Sequence, residues 1–314
     1  MRTLRLVLLI GVISGSTTFG QTADSLLIQD STFTSADSLF IFDLIDSLLS
    51  MEQAEQQLVL RLGYNSNVLS AGRTLGIENF GITPGLTYYH PSGFYADVSG
   101  FWSADFEPSY YLTVATVGYI KDLNEKFSVM GGYDRYFYTV ADKGTYIPYR
   151  NSLSISSVID MKTFSASVNY SFYFGDQYAH RIMPGLSCFL QKRNVFKLDR
   201  IGIRPSIYML LGDDVIITQE YLVRPKNLAE LRYNLVTYGS SFGIVQTTKN
   251  VFGIMNYALT IPLTLSKKNF GFSFSYTYNI PKALPGETLT FSESTYLSAS
   301  LLYVIAIGPK KNPL

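Results

Sequence analysis

The chain has 314 residues, among them 24 Tyr and 21 Phe, with a formal net charge of +1 and only 16% charged side chains, against about 25% in an average soluble domain. Near-neutral charge gives no reason to expect a nucleic-acid partner. The one cysteine, Cys188, rules out an intrachain disulfide, and two histidines with one cysteine offer no set of residues at metal-ligand spacing; nothing in the sequence asks for a cofactor.

At the N-terminus, Arg2 and Arg5 precede the apolar run Leu6 to Ile13, and small and polar residues follow up to Gly20. That order reads as a secretory signal peptide over 1–20, too short to span a bilayer as a helix, which takes roughly 20 apolar residues. Residues 21 to 35 are rich in Ser, Thr, Asp and Gln. Ile41, Leu44, Ile45, Leu48 and Leu49 then recur at three and four, with Asp43, Asp46, Glu52 and Glu55 elsewhere. This spacing predicts one acidic amphipathic helix. The reading is a periplasmic segment over 21–56 that rests on a barrel mouth; the alternative is a plug inside it.

From Gln57 the helical period disappears and a period of two takes over. Strands are predicted at Gln57 to Tyr64, Phe80 to His90, Phe94 to Trp102, Tyr110 to Ile120, Phe127 to Tyr138, Tyr149 to Ile159, Thr163 to Phe174, Arg181 to Gln191, Ile201 to Leu211, Met255 to Leu265, Phe270 to Tyr278 and Leu297 to Ile305. In "NFGFSFSYTYN", Phe270, Phe272, Phe274, Tyr276 and Tyr278 alternate with Gly271, Ser273, Ser275 and Thr277. In "MNYALTIPLTL", Met255, Tyr257, Leu259, Ile261, Leu263 and Leu265 form the apolar parity. Pro84, Pro184 and Pro205 fall inside three strands and mark bulges or weakly paired ends, since proline has no N–H for a ladder. Short links alternate with longer ones, and Lys192 to Asp199 reads as an unusually long turn on the short-link side. Ile201 to Tyr221 as one bulged strand gives about twelve strands, with a short helix near Lys226 to Tyr233. A turn at Gly212 to Asp214 and a strand at Tyr238 to Val245 would give fourteen.

The polar parity is Ser, Thr, Asn, Gly and Tyr with hardly a charge, whereas a soluble sandwich would carry Lys, Glu and Arg on its wet face. An aromatic outer face and a small polar inner face predict an all-β, transmembrane antiparallel up-and-down barrel over 57–308, with the 309–314 tail after it. The signal peptide, segments such as "TFSASVNYSFYF" and the asymmetry of turns and loops resemble the outer-membrane β-barrel proteins of Gram-negative bacteria. The ending "YVIAIGPKKNPL" departs from that pattern, because such barrels commonly finish on an aromatic residue. The resemblance implies location in the cell outer membrane. Its implied partners are outer-membrane lipid and lipopolysaccharide, the barrel assembly machinery, and a periplasmic partner for the 36–56 helix.

By parity, Asp97, Asp134, Arg181 and Arg204 are the lumen charges, either a constriction that selects solutes by charge or an internal ion-pair network. His90 reads as a solvated turn histidine. His180 lacks a neighbouring nucleophile motif, and Ser240 or Ser241 could reach it only through the fold, so no enzyme is expected. The functional reading is a narrow channel or transporter for small or amphipathic solutes. The alternatives are a non-conducting barrel that docks an envelope partner and, with less support, a lipid hydrolase.

Overall fold

A computed structural model describes residues 56–66, 80–104, 106–139, 149–161, 163–287 and 290–307, all within the compact unit Ser31–Leu314. The expected signal peptide, the amphipathic helix and the C-terminal tail lie outside the described residues. The strands are β1 (Gln56–Asn65), β2 (Gly81–Tyr89), β3 (Phe94–Ser103), β4 (Tyr110–Asn124), β5 (Phe127–Tyr138), β6 (Tyr149–Met161), β7 (Phe164–Gly175), β8 (Tyr178–Cys188), β9 (Leu190–Val195), β10 (Leu198–Ile203), β11 (Ser206–Leu222), β12 (Gly243–Lys267), β13 (Phe270–Pro281) and β14 (Ser294–Ile307). Among the described residues, one helix, α1 (Leu228–Tyr238), stands between β11 and β12.

Each of β1 to β8 pairs antiparallel with its sequence neighbour, β8 pairs with β11, and β11 to β14 continue the series. The β1–β14 and β11–β12 ladders shut the ring, giving a closed barrel of 12 strands with two extra strands, β9 and β10. Following the registers once round returns to β1 displaced by about 16 residues, which tilts the strands by roughly 40–45°. The expected twelve strands are present, and Gly212 to Asp214 lie inside β11 instead of making a turn.

The two extra strands continue existing ones. Ile203 pairs with Leu263 and Ser206 with Thr260 in one unbroken register, so β10 and β11 are a single strand interrupted at Arg204 and Pro205. Likewise β9 prolongs β8 across Phe189. The long turn expected at Lys192 to Asp199 is therefore a hairpin closed by Phe196 and Lys197 alone. Both take positive φ (51° and 64°), the left-handed pair that a two-residue turn needs to match strand twist. Period-two patterning does not reveal this extension, because the segment is polar on both faces.

Alternation decides which side chains face outward. Phe270, Phe272, Phe274 and Tyr276 are exposed on the outer face, while Ser273, Ser275, Thr277 and Asn279 are buried on the inner one. Leu60 and Leu62 in β1, Val98 in β3, Val117 in β4 and Leu153 and Ile155 in β6 are exposed in the same way. A belt of large apolar side chains around a closed ladder is the surface that hydrocarbon solvates and water does not. Met255 departs from expectation. A bulge opposite Leu210 and Leu211 leaves it without a partner and shifts the parity, so it is buried with Asn256 instead of facing outward with Tyr257. The prolines mark gaps: pairing skips Thr83 and Pro84 against β3, Met183 and Pro184 against β11, and Arg204 and Pro205 between β10 and β11.

On one end of the barrel the connections are short, as at Glu125–Lys126 and Lys268–Asn269, and both ends of the described chain lie there. This is the turn end; the other is the loop end. At the loop end β11 and β12 run past their neighbours. Pairing with β8 stops at Gly212 and with β13 at Asn256, yet Asp213 to Leu222 still pair with Phe252 to Gly243. This two-stranded ribbon projects by roughly 30 Å and carries α1 at its tip. Of residues 223–250, which the sequence reads as a long link, the last eight belong to β12 and eleven to α1. Asn227 caps α1 by accepting from Glu230 N at 2.8 Å, Glu230 reaches back to Lys226 N at 2.7 Å, and Gly239 ends the helix at φ 69°.

Inside the barrel, aromatic rings lie flat over glycines. A Cβ on Gly118 would sit 2.4 Å from the Tyr95 ring, and one on Gly185 would sit 2.5 Å from Tyr208. A Gly118→Val variant is expected to lose about 1–3 kcal/mol through overpacking, read as a lower urea-unfolding midpoint in lipid vesicles. Tyr95→Ala in that background should recover part of the loss, and no recovery would show that the ring is not the obstacle.

Candidate functional site in the barrel interior

The strongest node joins β1, β2 and β3. Arg61 lies between the outward Leu60 and Leu62 and points inward over Gly85, its register partner, where a Cβ would sit 2.8 Å from Nη2. Arg61 Nη2 donates to Asp97 Oδ1 at 2.6 Å and to Ser99 Oγ at 2.8 Å. Asp97 also accepts from Thr87 Oγ1 at 2.5 Å and Ser99 Oγ at 2.7 Å. Both charged side chains are mostly buried, at 14% and 10% exposure. Burial costs several kcal/mol per ion unless geometry and extra hydrogen bonds compensate, and this carboxylate has three donor groups.

Asp134 forms a second node with neutral partners: Thr116 Oγ1 donates at 2.7 Å and Ser152 Oγ at 2.6 Å, with Tyr136 OH 3.1 Å from Ser152. The Tyr95 ring, crossing Gly118 with its hydroxyl near Gly132, lies against the same strands. Arg181 forms a third node toward the loop end. Its Nη1 donates to Asp213 O, and to His180 O at 3.2 Å, and stands 3.7 Å from Asp213 Oδ1. Asp213 in turn accepts from His180 N, and from Asn250 Nδ2 at 3.2 Å. Arg204, at the β10–β11 break, holds its guanidinium 4.9 Å above the Phe189 ring.

The four expected lumen charges thus occupy separate nodes and do not form one ring. Two partners, Arg61 and Asp213, were missed by the sequence reading. Arg61 had a usable signal, a lone charge between outward leucines in "LVLRLGY"; Asp213 was masked by its resemblance to a turn. Between the nodes the interior is lined by hydroxyl and amide pairs: Asn169 with Ser156 at 2.7 Å, Ser165 with Ser187 at 2.7 Å, Asn256 with Asn279 at 2.8 Å, Thr260 with Thr277 at 3.1 Å and Ser275 with Ser298 at 2.6 Å.

Two apolar clusters flank this polar stretch. Toward the turn end Val59 and Tyr89 pack with Tyr95, Ile120, Leu302 and Val304. Toward the loop end Met183, Leu210 and Met255 receive Leu284, which is only 2% exposed. Leu284 belongs to the β13–β14 loop, which folds inward over Gly253. Lys282 N is tied to Met255 O at 2.8 Å, and Leu284 N donates to Glu287 Oε2 at 2.7 Å.

The histidines lie outside the interior. His90 sits in an exposed turn, its Nδ1 2.7 Å from Ser92 Oγ. His180 stacks on Phe172 at 5.0 Å and its Nδ1 lies 2.8 Å from Tyr170 OH, while Ser240 Oγ donates to Phe242 O at 3.0 Å. Neither Ser240 nor Ser241 has a hydrogen bond to His180 among the described contacts. Among the described residues, no group of three or more His, Cys, Asp or Glu is placed to hold a metal.

No protein-family model matches the sequence, and no curated protein matches it. Among solved structures, the chain is similar to the KdgM porin, with 9% identity and a TM-score of 0.41 over 79% of this chain and 98% of that one. It is also similar to the NanC porin, with 10% identity and a TM-score of 0.40 over 78% and 98%. A third neighbour is the translocator domain of the autotransporter NalP from Neisseria meningitidis, with 8% identity and a TM-score of 0.38 over 85% and 95%.

Removing Arg61 leaves Asp97 buried without its cation. Arg61→Ala is expected to cost about 3–5 kcal/mol, the usual penalty for one partner of a buried pair, and Asp97→Asn clearly less. Unfolding midpoints of both variants and the double variant check this; equal small losses would place the pair in solvent.

Proposed function

We propose that the chain is an outer-membrane β-barrel of a Gram-negative bacterium that passes small polar or amphipathic solutes through a narrow lumen. The loop end faces outside, since outer-membrane barrels keep short turns on the periplasmic side. The observation that carries the reading is the interior lining. Every strand of the ring contributes small hydroxyl, amide or glycine positions inward, flanked by apolar clusters, one of them closed by a loop that folds inward. Rotatable hydroxyls can replace a solute's water as it passes, without holding it tightly.

The charge arrangement favours uncharged solutes. Arg61 is matched by Asp97 and Arg181 by Asp213, so these two nodes act mainly as internal ties, while Asp134 is held by the neutral hydroxyls of Thr116 and Ser152. No catalytic step belongs to this reading. A second reading, a non-conducting barrel that docks an envelope partner, is favoured by the ribbon and its exposed tip: Leu228, Val236 and Phe242 all face outward there.

Single-channel recording of the refolded mature protein in planar bilayers tests the proposal. Small, weakly ion-selective steps are expected. Leu284→Gly, or shortening the loop 282–293, should raise conductance several-fold, and Arg204→Glu should move selectivity toward cations. Silence in the wild type and in both Leu284 and loop variants would sink the channel reading and leave the docking one. Deleting residues 21–56 in parallel tests whether that segment acts as a plug.

A further inference from the structure

The turn end carries an arm that the barrel itself does not need. The hairpin of β9 and β10 runs past its neighbours: β7 pairs with β8 only as far as Cys188, and among the described residues no strand lies along the outer edge of β9. Six residues, Leu190–Val195, thus form an open edge strand, which sheets normally cover, pair or guard with charge. The charge here is of one sign. Lys192, Arg193 and Lys197 are exposed, and Asp199, the one acidic residue of the hairpin, accepts from Lys268 N at 2.5 Å.

Arg193 stands directly opposite Arg200 in the ladder. Both share the inner parity with Gly202, where a Cβ would meet Thr264 and the Phe189 ring, so this pair belongs to the face that overlooks the barrel mouth. Like charges opposed across two strands destabilise the pairing, and an anion above them removes that penalty. At the tip, Phe196 is 89% exposed. A basic face with an aromatic tip fits a partner that is both acidic and apolar.

The chain supplies such a partner. Residues 37–55, whose spacing predicts an amphipathic helix, carry Asp37, Asp43, Asp46, Glu52 and Glu55 and no Lys or Arg. They run directly into β1, and Gln56 pairs with Ile307 at the turn end, the same end as the hairpin. From β1 the ring passes β14, β13 and β12 before β10, a gap of about 20 Å across a twelve-strand mouth. A helix over 37–55 would be about 28 Å long, enough to close that gap.

We propose that the β9–β10 hairpin is the docking arm for the acidic 37–55 segment of the same chain. Its carboxylates lie over Lys192, Arg193 and Arg200, and its apolar stripe of Ile41, Leu44 and Leu48 covers Phe196. One exposed ion pair is worth little, so the specificity comes from several charges of each sign meeting together. The inference does not depend on conductance or on orientation, because Gln56 and the hairpin share one end of the barrel whichever way it faces.

Distances between two spin labels in the refolded mature chain test this, with Cys188→Ala removing the native thiol and labels at Ser47→Cys and Gln191→Cys. With the natural charges the distance distribution should be single and narrow. Lys192→Glu with Arg193→Glu should widen it at least about twofold, because attraction becomes repulsion, and adding Asp43→Lys with Asp46→Lys should narrow it again. Lys121→Glu, on β4 at the same end, should leave it unchanged. A broad distribution with the natural charges overturns the proposal, since the segment would then be free. A narrow one that ignores the hairpin reversal also overturns it, since the segment would be held elsewhere, as a plug would be. So does a charge exchange that fails to restore the distribution. Heat-modifiable gel mobility reports folding of the barrel; if the reversed hairpin does not fold, Lys192→Gln with Arg193→Gln takes its place, and no widening there overturns the proposal.

Discussion

The structure depends on closure of the ring, which the β11–β12 and β1–β14 ladders complete. Around the ring, pairing runs between consecutive strands except at β8–β11, where β9 and β10 intervene, and at β1–β14, which brings the two ends of the described chain together. Between β8 and β12 the chain must make room for the interrupted strands and the ribbon, and still leave no unpaired edge inside the hydrocarbon. An exposed row of N–H and C=O groups in lipid costs several kcal/mol per group, so closure is a condition for spanning at all. The constant register from Ile203 across the break to Ser206 shows how it is met: Arg204 and Pro205 lose regular strand geometry, yet the strand resumes in step, with Arg204 N still bonded to Pro262 O at 3.2 Å.

Once the ring is shut, the period of two sorts every residue onto one of two solvents. Outside, apolar chains meet hydrocarbon; inside, polar atoms have only one another and a little water, so they must be paired. This explains why the interior is rich in small hydroxyl and amide groups in cross-strand couples, and why each of its carboxylates Asp97, Asp134 and Asp213 has several donors. The glycines beneath Tyr95 and Tyr208 follow from the same confinement, because a Cβ at either place would overlap the ring that crosses it.

How much of this was legible in the sequence depended on distance along the chain. Parity is a local property, so the outward faces of β7 and β13 and the strand number could be read from single segments. The short helix expected near Lys226 to Tyr233 is present as Leu228–Tyr238, one turn longer at its end, with Asn227 and Glu230 as its caps. Anything set by register between strands was not legible. Parity placed Asp97 inside but could not choose Arg61 as its partner, because that needs the height of β1 against β3. The bulge at Met255 flipped one side chain inward without altering the alternation of the letters around it. The run of β11 to Tyr221 was expected, whereas β9 and the first part of β12, which starts at Gly243 and not at Met255, were missed; β9 is polar on both faces and lacks the aromatic parity that marks the lipid belt. The amphipathic helix expected over 36–56 lies outside the described residues.

The projecting ribbon has a mechanical side. Its two strands are the upper halves of β11 and β12, the same strands that close the barrel, and α1 sits at their far end. Beyond Gly212 and Asn256 no neighbouring strand shares a load with them. A sideways push on α1 therefore acts through a lever roughly 30 Å long and turns about the seam beside Met255 and Leu284. The tip and the packing around that loop are two ends of one beam.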